Sequence, residues 1–269
     1  SEMNTPHPIL SDLAVRQAMS LAIDRETIAN TLFFGGDQEP PVVNILSGIP
    51  SMESPNTEVR FDQDGARALL DEAGWTLDGD VRKKDGVDLS IDYMTTNSQL
   101  RQKIQAIVKA NLEDVGFKVE LKQVPSEVFF DSGAGNDQNN THFYNDLNMF
   151  TSGIGAPPPV AYMLRWYAGP NGDNIAQASN SWTGRNFQRY NNPDYDAQYE
   201  ASRTESDPDR QNELFISMND ILYNDAAVMP LVRIGSKIAV SRTLSLENIA
   251  PSPYEFDYWN IANWRTIPE

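Results

Sequence analysis

Between Ser11 and Gly36 apolar residues recur at helical spacing, and two consecutive helices are predicted there. Ser11 or Asp12 is placed to cap the first, since a short side-chain oxygen can accept from the free N–H groups of an opening turn. Ala14, Ala18, Leu21 and Ala22 then share a face, with Val15 and Met19 beside them. Asp24 is placed to cap the second helix, Ile28 and Leu32 carry its stripe, and Gly35-Gly36 ends it. An alanine-rich face lets another element approach closely, so this stretch is expected to be a packing hub. Four prolines (Pro40, Pro41, Pro50, Pro55) then mark an extended connection over 37–62. Asp62 or Asp64 opens a short helix with Ala66, Leu69, Leu70 and Ala73 inward, Gly74 stops it, and Trp75 is expected to pack back on it.

A βαβ pattern follows. Lys84-Asp85-Gly86 reads as a hairpin turn, because Asp-Gly supplies the positive φ such turns need. Val87, Leu89, Ile91 and Tyr93 alternate with polar residues as a half-buried strand does. Leu100, Ile104, Ile107, Val108, Leu112 and Val115 form a helix face closed by Gly116, and Phe117, Val119 and Leu121 alternate again. A helix between two strands implies parallel neighbours. Ser126 to Phe130 reads as a short helix, 131–141 as a polar loop, and Leu147, Met149 and Phe150 as a strand running into Pro157–Pro159. A further helix is expected to carry Tyr162, Met163, Trp166 and Tyr167. Residues 169–192 form a long loop that holds Trp182, Phe187 and Tyr190. Asp194 and Asp207 are expected to cap two more helices, the second with Leu214, Met218, Ile221 and Leu222 inward, and Met229 to Val232 begins a strand. The expectation is one α/β domain with a mixed sheet flanked by helices. The tail from Ser236, with Pro251, Pro253 and Pro268, does not form a unit of its own.

Composition narrows the function. The 269 residues include 38 acids against 21 Lys and Arg, a net charge of −17. That argues against nucleic acid, which needs clustered cations to displace counterions. Zero Cys removes thiolate chemistry, disulfides and Cys-based zinc sites. No stretch reaches the ~18 apolar residues a membrane span needs. Only His7 and His142 could serve a nucleophile triad, and no G-x-S-x-G elbow is present. Gly153-Ile154-Gly155 lacks the third glycine of a phosphate loop, and Asp131 to Asp137 lacks the spacing of a calcium loop. The aromatic residues carry more signal. Trp166, Tyr167, Trp182, Phe187 and Tyr190 flank loops, and a cleft lined by such rings with Asn and Arg nearby suits a peptide or a sugar.

Four motifs resemble those of the extracytoplasmic solute-binding proteins that serve peptide ABC transporters, the dipeptide- and oligopeptide-binding type, solute-binding family 5. VRQAMSLAIDRETIANTLFFGG (15–36) resembles the family's lobe-opening helix pair, with Ala22-Ile23-Asp24-Arg25 at its centre. ARALLDEAGW (66–75), NFQRYNNPDYD (186–196) and ILYNDAAVMPL (221–231) resemble three further signatures, in matching order. The resemblance implies one lobe of a type II periplasmic-binding-protein-like fold, the C-terminal lobe of a pair that closes on ligand. Residues 11–235 would be that lobe, 1–10 a severed hinge segment or cloning remnant, and 236–269 a tail returning to an N-terminal lobe. It implies a binding protein and not an enzyme, without a cofactor and monomeric. Its partners would be a peptide or similar solute and permease subunits, at the outer face of the cell membrane or in the periplasm, with a lipid anchor in the full-length protein. Ligand contacts are expected from Phe150, Ser152, Gly153, Gly155, Trp166, Tyr167, Asn186, Phe187, Arg189 and Tyr190. The pattern departs at one point. Members that grip a peptide's α-ammonium commonly carry Trp-x-x-Asp where this chain has Ser152 and Gly155, so the ligand is held differently or is not a free peptide. Rival readings are a carboxylate-using α/β hydrolase and a ligand-sensing ectodomain on the same lobe.

Overall fold

Local sequence chemistry accounts for the first layer of the computed structural model, which describes residues 2, 4–33, 40–155, 158–234, 241–245, 247, 249–250 and 258–267. Helix α1 (Leu13–Ala22) is capped by Asp12, whose carboxylate accepts from the Ala14 N–H at 3.0 Å. Helix α2 (Arg25–Leu32) is capped by Asp24 through Thr27 N at 2.8 Å. The buried face of α1 is Val15, Ala18, Met19 and Ala22, so the stripe is rotated toward Val15 and away from Ala14. Helix α3 (Gln63–Glu72) is capped by Asp62 and ends before Gly74, whose φ of +85° suits glycine. Trp75 is buried at 2% exposure, and its indole N–H donates to Asp12 at 3.1 Å. The cap of α1 therefore also anchors the residue that closes α3. Gly35-Gly36, Pro157, Ser236, Pro251, Pro253 and Pro268 lie outside the described residues.

Two three-stranded sheets follow. Strands β1 (Thr76–Asp78), β2 (Val81–Lys84) and β3 (Val87–Asp88) form an antiparallel meander, with the Asp85-Gly86 turn at positive φ in both residues. Strands β4 (Ser90–Thr96), β5 (Lys118–Val124) and β6 (Leu147–Met149) form a parallel sheet in the order β5-β4-β6. The strand expected over 87–93 is thus two strands. Leu89 is the switch: its N–H donates to Arg82 O in the meander, while its carbonyl accepts from Lys118 N in the parallel sheet. Alternation alone cannot show that, because Leu89 keeps the in-out phase while its two hydrogen bonds change partner. Helix α4 (Gln99–Glu113) joins β4 to β5 as expected. It also buries Gln105, which donates to the carbonyls of Tyr93 and Lys122 and so clamps the two strands.

Further on, α5 (Ser126–Phe129) forms as expected. Helix α6 (Val160–Met163) is a single turn, so Trp166 and Tyr167 stand on the turns after it and not on a helix. Helix α7 (Pro193–Thr204) is capped by Asn192 with Pro193 at its first position, in place of the expected Asp194. Helix α8 (Pro208–Asn224) is capped by Asp207. Met229 to Val232 is no strand: Val232 makes one isolated antiparallel bridge with Pro41. Proline at 41 and at 230 removes the N–H groups a longer ladder would use. Among the described residues no helix is long and apolar enough to cross a membrane.

Two main cores result. The larger packs α1 to α4 against β4 and β5, around Met19, Trp75, Ile91 and Phe117. The smaller packs α7 and α8 against 45–52 and 162–167, around Trp166, Tyr195, Phe215 and Met218. Arg16 ties them together, and Arg25 ties the larger core to the segment after α8 that packs on it. Arg16 Nε donates to Asp225 O at 2.9 Å, and the fully buried Arg25 donates from Nε to Pro230 O at 2.8 Å. The segment 7–10 is held as well. Ile9 is buried in the larger core, and His7 Nε2 lies 2.7 Å from Asp146 Oδ1.

Candidate functional site

Parallel strands end together, and the chain leaving their C-terminal ends lines the crevice beside them. Here β4 ends at Thr96 and β6 at Met149, and residues 150–154 run from β6 along a cleft of about 1220 Å³ between the two cores. Thr95 Oγ1 donates to Met149 O at 2.7 Å and fixes the departure of that segment.

Of the residues expected to touch ligand, Phe150, Ser152, Gly153, Trp166, Phe187 and Tyr190 line this cleft. Trp166 is held by its indole N–H on Gln188 Oε1 at 2.6 Å, and Gln188 in turn donates to Ala227 O. Tyr190 donates its hydroxyl to Asp225 Oδ2 at 2.5 Å. Burial first, then the facing carboxylate, drives its pKa well above the usual tyrosine value, so it stays neutral. Gly153 has nothing within 4 Å of a notional Cβ, so its lack of a side chain leaves open space on the cleft wall.

Four others are placed elsewhere. Tyr167 stacks on Tyr199 with ring centroids 4.5 Å apart, and its hydroxyl donates to Glu200. Asn186 is fully buried: it donates to Tyr190 O at 2.7 Å and accepts from Tyr190 N at 3.1 Å. It shapes the turn that presents Tyr190 without reaching the cleft itself. Arg189, at a φ of +57°, donates to Phe187 O and to His142 O. Gly155, at a φ of +76°, is not part of the lining.

The cleft also contains residues that periodicity does not single out. Arg101, in the first turn of α4, donates to Thr96 Oγ1 at 3.0 Å and to Thr151 Oγ1 at 3.2 Å. Arg165 donates to Ser152 Oγ at 2.6 Å and lies over the Tyr162 ring at 4.9 Å. Asp146 is the one acid among the described lining residues. Burial raises its pKa, but hydrogen bonds from His7 and from the Asp92 N–H outweigh that and hold the carboxyl below its usual range. Arg101 could have been found from its place in the turn that follows the C-terminal end of a parallel strand. Arg165 offers no such signal, because its partner is thirteen residues away in a loop.

This geometry agrees with what the chain is similar to. Residues 1–174 match the family described as bacterial extracellular solute-binding proteins, family 5 Middle. The oligopeptide-binding protein OppA of Mycobacterium tuberculosis (strain ATCC 25618 / H37Rv) is 26% identical over 243 residues, which is 89% of this chain and 38% of that protein. The nickel-binding periplasmic protein of Escherichia coli (strain K12) is 30% identical over 125 residues, covering 44% of this chain and 23% of that protein. The oligopeptide binding protein from Thermus thermophilus, solved with a pentapeptide, superimposes with a TM-score of 0.77 at 24% identity, covering 93% of this chain and 42% of the other. The chain thus spans about two fifths of the length of these peptide-binding relatives. It belongs to the bacterial extracellular solute-binding proteins of family 5.

Proposed function

We propose that this chain is the ligand-gripping C-terminal lobe of the substrate-binding component of an ABC importer, which captures an oligopeptide or similar solute and delivers it to a membrane permease. The observation that carries this reading is the cleft itself. It opens at the C-terminal ends of β4 and β6, and its walls combine apolar rings with a few oriented polar groups. Ligand would bridge this lobe and a second one and so favour the closed state; closure, not bond chemistry, is the mechanism. Of the rival readings, nothing in the cleft favours the hydrolase: the one acid among its described lining residues is already engaged with His7 and Asp92 N.

The lobe would comprise the residues from about His7 to about 235, since His7 and Ile9 are held by its core; the crossings to the second lobe would lie before His7 and after 235. An extracytoplasmic site of action, with a lipid anchor in the full-length protein, goes with this reading. The test is native mass spectrometry of the full-length protein from its host, with calorimetric titration of this chain by mixed peptides. A co-purifying solute together with weak binding by the chain supports the proposal. Sub-micromolar binding by the chain alone overturns the half-site, and turnover of an ester or glycoside overturns the binding role.

A further inference from the structure

We propose that Arg101 and Arg165 form an anion subsite on the cleft wall at Thr151-Ser152, so that the ligand presents a carboxylate to this lobe. The inference rests on the solute-binding reading above and adds the charge and the orientation of the ligand. The chain has 38 acids and 21 Lys and Arg, so a cation here should find an acidic partner easily. Ion pairs do form on many surface cations, among them Arg60, Arg67, Lys83 and Arg203. Among the described residues neither Arg101 nor Arg165 has a carboxylate within ion-pair distance; their partners are three neutral hydroxyls, on Thr96, Thr151 and Ser152.

A guanidinium carries five N–H donors. Arg101 uses two of its groups and Arg165 one, so both keep donors available to a ligand. The two heads are anchored on consecutive residues of one segment, and Arg165 is further fixed over Tyr162. Both are half-buried, which strengthens a charge-assisted bond relative to bulk water. The other charges among the described residues of the wall are Asp146, Arg16 and Arg233. Asp146 is held by His7 and Asp92 N, and Arg16, whose pKa burial lowers, is faced by Asp225. At Ser152 the wall offers a hydroxyl already bound to a guanidinium, and no acid of the described lining lies on this segment. A peptide would face this wall with its carboxyl end, and a small organic anion would satisfy the same donors.

The test is titration of the full chain in the millimolar range, by calorimetry and NMR, with trialanine, its C-terminal amide, its N-acetyl form and citrate. The expected result is that the free acid binds at least about tenfold more tightly than the amide, a difference of about 1.4 kcal/mol, while acetylation has little effect. In Arg101→Gln and Arg165→Gln that ratio should fall toward unity, and Arg165→Lys should retain part of it. Binding of citrate without the peptides supports the subsite and names a small anion as its occupant. Equal binding of acid and amide, or a ratio unchanged in both glutamine variants, overturns the subsite and leaves solute binding standing. If none of the four probes binds at millimolar concentration, the subsite is overturned, and the solute-binding reading stands or falls by the solute that co-purifies with the full-length protein.

Discussion

Arg25 sits in the Ala-Ile-Asp-Arg centre of the opening helix pair at 1% exposure, and its replacement probes why that signature exists. Burial pushes its guanidinium down to about 10, so it is still charged at neutral pH. Its Nε reaches Pro230 O at 2.8 Å, Nη1 reaches Ser20 O at 2.8 Å, and Nη2 reaches Ser20 Oγ at 3.1 Å. The arginine thus joins the end of α1 to the segment that follows α8. Replacing it with Ala strands two carbonyls, each worth about 1–3 kcal/mol when buried without a donor. Loss of stem packing adds to this, and relief of the guanidinium's own desolvation offsets part of it. The expected net loss is about 3 kcal/mol, or about 10 °C in Tm for a domain of this size. Arg25→Met restores the stem volume without donors and should be nearly as damaging. Arg25→Lys keeps the charge but cannot span both carbonyls, and should fall between. The measurement is urea unfolding at neutral pH, followed by circular dichroism. If Arg25→Met lies within about 1 kcal/mol of wild type, stem burial and not hydrogen bonding holds the two segments, and the reasoning is refuted.

Asn186→Ala should lower stability by about 2 kcal/mol, seen as a lower Tm without ligand, because it removes a buried amide that pairs the half-buried Tyr190 N–H and C=O; an unchanged Tm would show that Asn186 does not hold that turn. Gly184→Ala should destabilise by at least about 2 kcal/mol in the same assay, since its φ is +123° and a Cβ would lie 2.3 Å from Asn174 O. Asp146 has a lowered pKa, so its contribution to stability is present above the ordinary carboxylate range and disappears as pH falls through the lower folded value. His7→Ala should therefore shrink the stability lost between about pH 6 and about pH 2, measured as urea midpoints, and an identical acid limb in both proteins would count against the pair.

Much of this was legible in the residues. The caps at Asp12, Asp24, Asp62 and Asp207, the Asp85-Gly86 turn and the βαβ unit are local features, set by hydrogen bonds and periodicities that span a few residues. Four ordered motifs were enough to place the chain in its family, because each is a run of neighbours. The cleft was legible only in part. The rings of Trp166, Phe187 and Tyr190 stood out by composition, and they line it. Tyr167 and Asn186 stood out equally but are taken up elsewhere, Tyr167 by the distant Tyr199 and Glu200, and Asn186 by the distant Tyr167 carbonyl and by the Tyr190 backbone of its own turn.

By itself, then, the sequence determined which segments coil or extend, where they stop, and the family to which they belong, since those properties arise within a turn or a strand. The tertiary structure alone decided that the opening stretch meets the chain's late segments through Arg16 and Arg25, each some two hundred residues from its partner, and that Arg16 thereby joins the two cores. It also decided that the strand around Leu89 divides between two sheets, because one residue's N–H and C=O can serve different neighbours. Finally, it brought Arg101 and Arg165 onto the hydroxyls of Thr151 and Ser152 with no acid beside them among the described residues. The charge of a cleft is a sum over groups distant in the chain, and a total of −17 could not show that one wall of it is cationic.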